Sequence, residues 1–429
     1  MRAPMSGRRA LVWAGRSVVG LTSVAVLGAI GFGWFTYRTA VDGIVTDDVI
    51  EAAPAAPGAT STPDLPRTAM TILLVGLDSR TDAQGNPLPQ EVLDALRAGE
   101  ATSEQNTDTM MVVHVPADPA KQAFAVSLPR DSYVDIAGGF GTHKLNSAYA
   151  RAKAAKASEL RSSGADESTV ERESTTAGRK NLIATVSELT GLHVYHYAEI
   201  NLFGFSEITK AVGGVPVCLT EPVDDSYSGA HFPAGPQVLK GVDALKFVRQ
   251  RHGLPGGDLD RVRRQQAFLA GLANRLFSAG TLADPARLTS LVEALSKAVV
   301  LDKNWDLLAF AQQVAGLTGD RIEFSTIPTI RPDLATPYDG SAVEVDPAQV
   351  RAFVQDLLHG APAGTGTDRP PDPGKADQPA RTPPGLSPGR SGQVEIRVKP
   401  GTTAPMGHMA STGQTADQPI DAGGVPCVN

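Results

Sequence analysis

Five arginines fall within the stretch Arg249 to Gln265 (RQRHGLPGGDLDRVRRQ) against only two acids, Asp258 and Asp260, in a chain whose formal net charge is −7. A local excess of that kind suits an anionic partner. Guanidinium groups form planar, two-pronged hydrogen bonds to phosphate oxygens, so several of them at one turn fit a diphosphate better than a single carboxylate. The LPGG segment supplies the turn, because proline presets one dihedral and glycine permits positive φ, and it can fold the two arginine groups back towards one pocket. Asp258 or Asp260 can cap a helix starting near Arg261, on which Arg261 and Gln265 share a face. Taken alone, such a cluster is equally well a solvated basic surface with ordinary ion pairs, and other residues must decide between the two.

Three further charged groups sit at the tips of apolar runs. TILLVG (71–76), MMVVHV (110–115) and AFAVSL (123–128) are continuous enough to be strands buried on both faces. Leu77-Asp78-Ser79-Arg80, Asn106-Thr107-Asp108-Thr109 and Pro129-Arg130-Asp131-Ser132 flank them. Ligands of open α/β sheets bind at strand ends, so these tips are where chemistry is expected.

The other elements position these tips. Thr142-His143-Lys144-Leu145-Asn146 is expected to open a helix. That helix continues into an Ala-, Lys-, Ser- and Glu-rich insertion reaching Arg179, whose weak apolar periodicity predicts a peripheral place. Residues 181–189 have helical spacing, VYHYAEINLFGF reads as a strand leading into a loop, and GGVPVCL reads as a turn and a strand. Residues 239–248 look helical and deliver Arg249. Residues 282–317 read as helix with breaks, IEFSTIP as a late strand, and 347–358 as a final amphipathic helix. The expected fold class is α/β, a single α-β-α domain with a central mixed sheet flanked by helices and preceded by one transmembrane helix.

Composition bounds the rest. Arginine outnumbers lysine 27 to 12, aromatics are 5%, and the overall negative charge argues against a general nucleic-acid binder. Val18 to Tyr37 (VVGLTSVAVLGAIGFGWFTY) is an uncharged run of 20 residues after Arg2, Arg8, Arg9 and Arg16, long enough for one bilayer span. Acids follow it at Asp42, Asp47, Asp48 and Glu51, so the positive-inside bias sets the N-terminus in the cytoplasm and the remainder outside. The expected organisation is a cytoplasmic tail at 1–16, an uncleaved anchor at 17–37, a Pro/Ala/Thr-rich tether at 38–69 and the catalytic domain at 70–360. A Pro/Gly-rich disordered linker at 361–392 and a short C-terminal segment at 393–429, with a strand-like QVEIRVK, complete it. The two cysteines, Cys218 and Cys427, then lie in an oxidising compartment, where an even count favours a disulfide between them.

Taken in order, LLVGLDSR, NTDTMMVVHV, VSLPRDSYVDI, HKLNSAYA, GGVPV and LKGVDALKFVRQRHGLPGGDLDRVRRQQ resemble the LytR-CpsA-Psr family, in its actinobacterial form, over about residues 70–330. The resemblance implies a membrane-anchored glycopolymer ligase: a phosphotransferase that moves a glycan-1-phosphate from a polyprenyl diphosphate carrier to peptidoglycan, with pyrophosphatase as a side activity. It assigns metal-associated positions to Asp78 and Asp108, diphosphate binding to Arg130, Arg249, Arg251 and Arg261, and places Asp258, Lys144, Gln265 and Arg80 around them. Mg²⁺, with Mn²⁺ as substitute, is the implied cofactor, since such an ion prefers one or two carboxylates plus phosphate oxygens and water. Asn106 departs from the arginine expected there. Asp131 and Asp258 both remain open as general base. No GxxxxGK[ST], HExxH or GxSxG motif competes, and the scattered histidines have no metal-ligand spacing. Two other readings stand beside it: a non-catalytic membrane receptor for polyprenyl phosphates or anionic glycans, and a transcription regulator, which the outward topology and the lack of a helix-turn-helix pattern disfavour.

Overall fold

Alternate residues of the apolar runs go to opposite faces of a central sheet, which is why those runs carry no polar stripe. On one face Leu73, Val75, Met110, Val112, Phe124 and Val126 pack with Tyr149, Leu182, Val186, Val350 and Val354. On the other Ile72, Met111, Ala123 and Ala125 pack with Val215, Phe247 and Phe268. The result is a three-layer arrangement with the sheet in the middle. The computed structural model describes residues 43–50, 69–95, 106–360, 420–421 and 426–429, apart from gaps at 84, 119, 227, 251–252, 255–257, 278–289, 291–292, 297, 304 and 315–320. The anchor at 17–37, the linker at 361–392 and the QVEIRVK segment lie outside the described residues. Among the described residues no helix is long and apolar enough to cross a membrane.

The central sheet has eight strands in the order β1 (Val45–Asp47), β12 (Val299–Asp302), β7 (His196–Asn201), β2 (Met70–Leu77), β3 (Thr107–Val115), β4 (Ala123–Leu128), β13 (Ile322–Thr326) and β16 (Ile420–Asp421). A second sheet combines β14 (Arg331–Ala335), β15 (Ser341–Glu344), β5 (Ser132–Ile136) and β6 (Gly141–Lys144). A third contains β11 (Gly235–Leu239), β8 (Val215–Leu219) and β17 (Cys427–Val428), and a small hairpin pairs β9 (Val223–Asp225) with β10 (Ala230–Phe232). The helices described are α1 (Gln90–Ala95), α2 (Ser147–Ser162), α3 (Glu167–Thr190), α4 (Leu202–Ala211), α5 (Val242–Arg249), α6 (Asp258–Phe277), α7 (Leu307–Val314) and α8 (Pro347–Leu358).

Several expectations change. The stretch to Arg179 is not peripheral: α2 and α3 cover one face of the sheet, and Val170, Arg179, Leu182 and Val186 are buried. Its contact face is built from small residues, which give little periodic signal. A Cβ on Gly178 would lie 2.9 Å from the Tyr149 carbonyl oxygen. The LFGF segment is the start of α4 rather than a loop, because the Asn201 side chain accepts from the Gly204 amide at 2.7 Å and caps the helix. His143 and Lys144 end strand β6, and the helix begins only at Ser147. Residues 299–302, expected within a broken helix, form β12. Val45–Asp47, inside the stretch expected to be a free tether, is β1 and pairs in parallel with β12. Cys218 and Cys427 are joined by a disulfide, and β17 lies parallel to β8 with these two residues in register.

Buried charge holds β1 and β7 against α3. Arg179 Nη2 meets Glu199 Oε1 at 2.8 Å and Arg179 Nη1 meets Asp47 Oδ2 at 2.7 Å, while the Tyr197 hydroxyl donates to Glu199 at 2.7 Å. Burial by itself would raise the Glu199 carboxyl, but the Arg179 charge and the hydrogen bonds from Arg179 and Tyr197 outweigh it and hold the group below its ordinary value.

Candidate functional site

Strand directions bring the charged tips together. β2 runs parallel to β7, and β3 is antiparallel to both β2 and β4. β13 is parallel to β4. The carboxyl ends of β2, β4, β7 and β13 therefore share one edge with the start of β3. Asp78, Asp108 and Arg130 are all at that edge, as the sequence placed them.

Asp108 owes its position to a break in the β2–β3 ladder. Gly76 pairs with Thr109 and Leu77 with Thr107, so Asp108 is the extra residue of a bulge. Gly76 allows the strands to approach there, since an added Cβ would stand 3.1 Å from the Thr109 Cβ. The bulged carboxylate accepts from Arg130, Oδ1 to Nη1 at 2.6 Å. Asp131 spans the two neighbouring cations, with Oδ2 at 3.6 Å from Arg130 Nε and Oδ1 at 3.4 Å from Lys144 Nζ. The Asn146 amide donates to the Arg130 carbonyl at 3.0 Å and the Leu145 amide to the Ser132 carbonyl at 2.8 Å, so the HKLN segment fixes the PRDS turn. The Thr107 hydroxyl donates to the Asn146 carbonyl at 3.4 Å and ties both to β3.

Asp78 differs from Asp108. Its amide donates to the Asn106 carbonyl at 3.2 Å, but its Oδ1 is buried and has no hydrogen-bond partner in the structure. A buried carboxylate oxygen without a partner is costly unless a ligand completes it. Beside it Arg80, half-buried, begins a hairpin closed by the Leu88 amide on the Arg80 carbonyl at 3.0 Å.

The arginine-rich stretch reaches the same edge through α6. Gln266 donates to the Ser127 hydroxyl at 3.0 Å, the Ser325 carbonyl at 2.6 Å and the Thr326 hydroxyl at 2.9 Å, all at the carboxyl ends of β4 and β13. Gln265 donates to the Val248 carbonyl at 3.3 Å, which ties α6 to the end of α5 and thus to Arg249. Arg249 is half-buried, and Arg261 is buried on α6 one turn before Gln265. Arg251 lies outside the described residues, and of Asp258 only the backbone at the start of α6 is described.

The five arginines do not all face one ligand. Arg264 is 1% exposed, stacks 5.3 Å from the Phe247 ring centroid, and hydrogen-bonds Gln250 and the Asn429 carbonyl. Burial pushes its guanidinium down to about 10, against the pull of Asp260 and Asp225. It is an internal brace of the α5–α6 junction. Helical spacing alone separates its face from that of the half-buried Arg263. The residues that sequence reasoning missed, Gln266, Thr107 and the cap Asn201, act through hydrogen bonds to partners that no local pattern names. Only the long-range pairings give them meaning.

One edge of the central sheet of this α/β domain thus gathers Asp78, Asp108 and Arg130, with the Asp78 Oδ1 unpartnered. The chain belongs to the LytR_cpsA_psr family, which matches residues 45–352. It is 44% identical over 391 residues to the cell wall biosynthesis protein LcpA of Corynebacterium glutamicum, covering 89% of this chain and 71% of that protein. It is 30% identical over 207 residues to the polyisoprenyl-teichoic acid–peptidoglycan teichoic acid transferase TagU of Bacillus cereus, covering 48% of this chain and 52% of that relative. Among solved structures it is similar to TagV of B. subtilis, with 24% identity, a TM-score of 0.48, and coverage of 69% of this chain and 99% of that one.

Proposed function

We propose that this protein is a phosphotransferase that moves a glycan-1-phosphate from a polyprenyl diphosphate carrier to a hydroxyl of peptidoglycan, the muramic acid 6-hydroxyl being the favoured acceptor. One observation carries the reading: the Arg130–Asp108 pair and the unpartnered Asp78 oxygen share a sheet edge with the docked end of α5 and α6. Family membership and the transferase description of the Bacillus cereus relative support it.

In the proposed reaction the acceptor oxygen forms a bond to the phosphorus bearing the glycan. The bond from that phosphorus to the bridging oxygen breaks, and polyprenyl monophosphate leaves. The hydroxyl proton passes to a base. Such transfers need positioning and charge neutralisation more than a covalent catalyst. Arg130, Arg249, Arg251 and Arg261 would hold the diphosphate oxygens, with Lys144, Arg80 and Gln265 around them. Both Asp131 oxygens face cations, which suits a residue that orients Arg130 and Lys144; Asp131 and Asp258 remain the two candidates for the base. Water in place of the hydroxyl would give the pyrophosphatase side reaction.

The residues fit a divalent cation. Among the described residues no group of three or more His, Cys, Asp or Glu could hold a metal alone. Asp78 with its open Oδ1, and Asp108 beside it, would hold Mg²⁺ or Mn²⁺ jointly with phosphate oxygens and water. The ion would supply neutralisation of charge on those oxygens. Residues 17–37 would anchor the chain as a single span with the N-terminus in the cytoplasm and the site outside.

Incubating the full chain in vesicles with a labelled lipid-linked glycan, peptidoglycan and Mg²⁺ tests this reading. Label in the peptidoglycan is expected. Saturable binding of the lipid with no turnover would instead mark a membrane receptor.

A further inference from the structure

Strand β1 shortens the connection to the membrane. The 32 residues at 38–69 suggested a long, free tether, but Val45–Asp47 is part of the central sheet, leaving only residues 38–42 between Tyr37 and the first described residue, Gly43. Six residue steps from Tyr37 to Gly43 reach about 21 Å when fully extended.

The register fixes which edge this leash enters. β12 is antiparallel to β7, with Val299 opposite Ile200, and β1 is parallel to β12, with Val45 opposite Val300. β7 ends at Asn201 on the edge that carries Asp78 and Arg130, as its parallel pairing of Asn201 with Leu77 requires. Gly43 therefore enters at the site edge. β1 then runs to the opposite edge, where β2 starts, with Met70 opposite Val115 at the end of β3. Residues 51–68 follow β1 in the chain and so add nothing to the leash.

Magnitudes exclude the opposite edge from the membrane. β1 is three strand positions from β2, about 14 Å at the usual spacing. The nine residues of β3 put the opposite edge about 30 Å away along the strands, farther than the leash extends. We propose that the site edge of the sheet faces the lipid bilayer, set there by the short connection through residues 38–42. This rests on the reading of residues 17–37 as a membrane span. Its occupant is the bilayer itself, argued from the length of chain between span and sheet and from where that chain enters.

The test uses the full chain in phosphatidylglycerol vesicles carrying nitroxide-labelled headgroups. Single-cysteine variants Gln90→Cys and Lys121→Cys would carry the same fluorophore, and the native cysteines, being paired, do not compete for label. Gln90 is exposed and follows the hairpin that closes on Arg80, while Lys121 is exposed in the β3–β4 turn at the opposite edge. The Gln90 fluorophore is expected to be quenched several-fold more than that at Lys121. A Gly-Ser insertion between Arg38 and Asp42 should erase the contrast, whereas the same insertion within 51–68 should preserve it. Equal quenching, stronger quenching at Lys121, a contrast that survives the first insertion, or a chain that fails to float with the vesicles overturns the proposal. Quenching is read without turnover, so a contrast seen in a protein that transfers nothing leaves the orientation standing and removes the proposed reaction. Transfer without the contrast does the reverse.

Discussion

Replacing Arg130 with alanine should separate rate from stability. Its guanidinium reaches Asp108 at 2.6 Å and lies 3.6 Å from Asp131, with side-chain exposures of 17%, 24% and 20% for the three residues. Losing a donor aimed at developing phosphate charge costs about 3 to 4 kcal/mol, so kcat should fall by about 10²- to 10³-fold. The stability loss should be smaller. Exposed pairs contribute about 0 to 1 kcal/mol and breaking fully buried ones costs about 3 to 5, and these half-buried groups fall between, at about 1 to 2 kcal/mol. Arg130→Lys should recover most of that stability but little of the rate, because one ammonium cannot serve Asp108 and a phosphate with the geometry of a planar fork. Single-turnover transfer and urea unfolding, measured on the same preparations, give the two quantities. An alanine variant that keeps turnover within a few-fold of the parent would place the diphosphate elsewhere.

If Asp78 and Asp108 share one ion, Asp78→Asn and Asp108→Asn should each lower activity and metal dependence in a Mg²⁺ titration, and the double variant should be little worse than the worse single; additive losses would mean that only one touches the ion. Gly178→Ala drives a methyl group against the Tyr149 carbonyl and should cost about 1 to 3 kcal/mol by urea unfolding, with no direct effect on the site. Because the folded Glu199 carboxyl is held below its ordinary value of 4.5, its contribution is present above that pH and is lost as pH falls through the folded value. The stability advantage over Glu199→Gln should therefore shrink below about pH 4.5 in thermal scans, and a constant advantage down to pH 3 would refute the pairing. Peptide mapping of non-reduced protein should give a Cys218–Cys427 cross-linked peptide, and two alkylatable thiols would contradict the bridge.

What the sequence made legible follows from burial. β2, β3 and β4 were readable because both their faces are covered, so they appear as unbroken apolar runs, and the charges at their tips stood out against that background. The insertion before Arg179 gives little periodic signal because many of its buried positions are small, Ala148, Ala152, Ser174 and Gly178 among them, with Gly178 set close against Tyr149. β1 and β12 are three and four residues long and become strands only through pairing with each other and with β7, which no local pattern encodes. Within RVRR the local charge was plain, but the division of labour was not. Arg261 is buried on α6 one turn before Gln265, while Arg264 turns inwards to Phe247 and Gln250, and that depends on where α5 packs.

The most direct measurement is mass spectrometry of both products after the full chain has met a defined lipid-linked glycan and peptidoglycan. A glycan joined to muropeptide through a phosphodiester, together with one equivalent of polyprenyl monophosphate, is the expected result. A released polyprenyl diphosphate, or a glycan joined without phosphorus, would contradict the proposed cleavage within a diphosphate bound at Arg130.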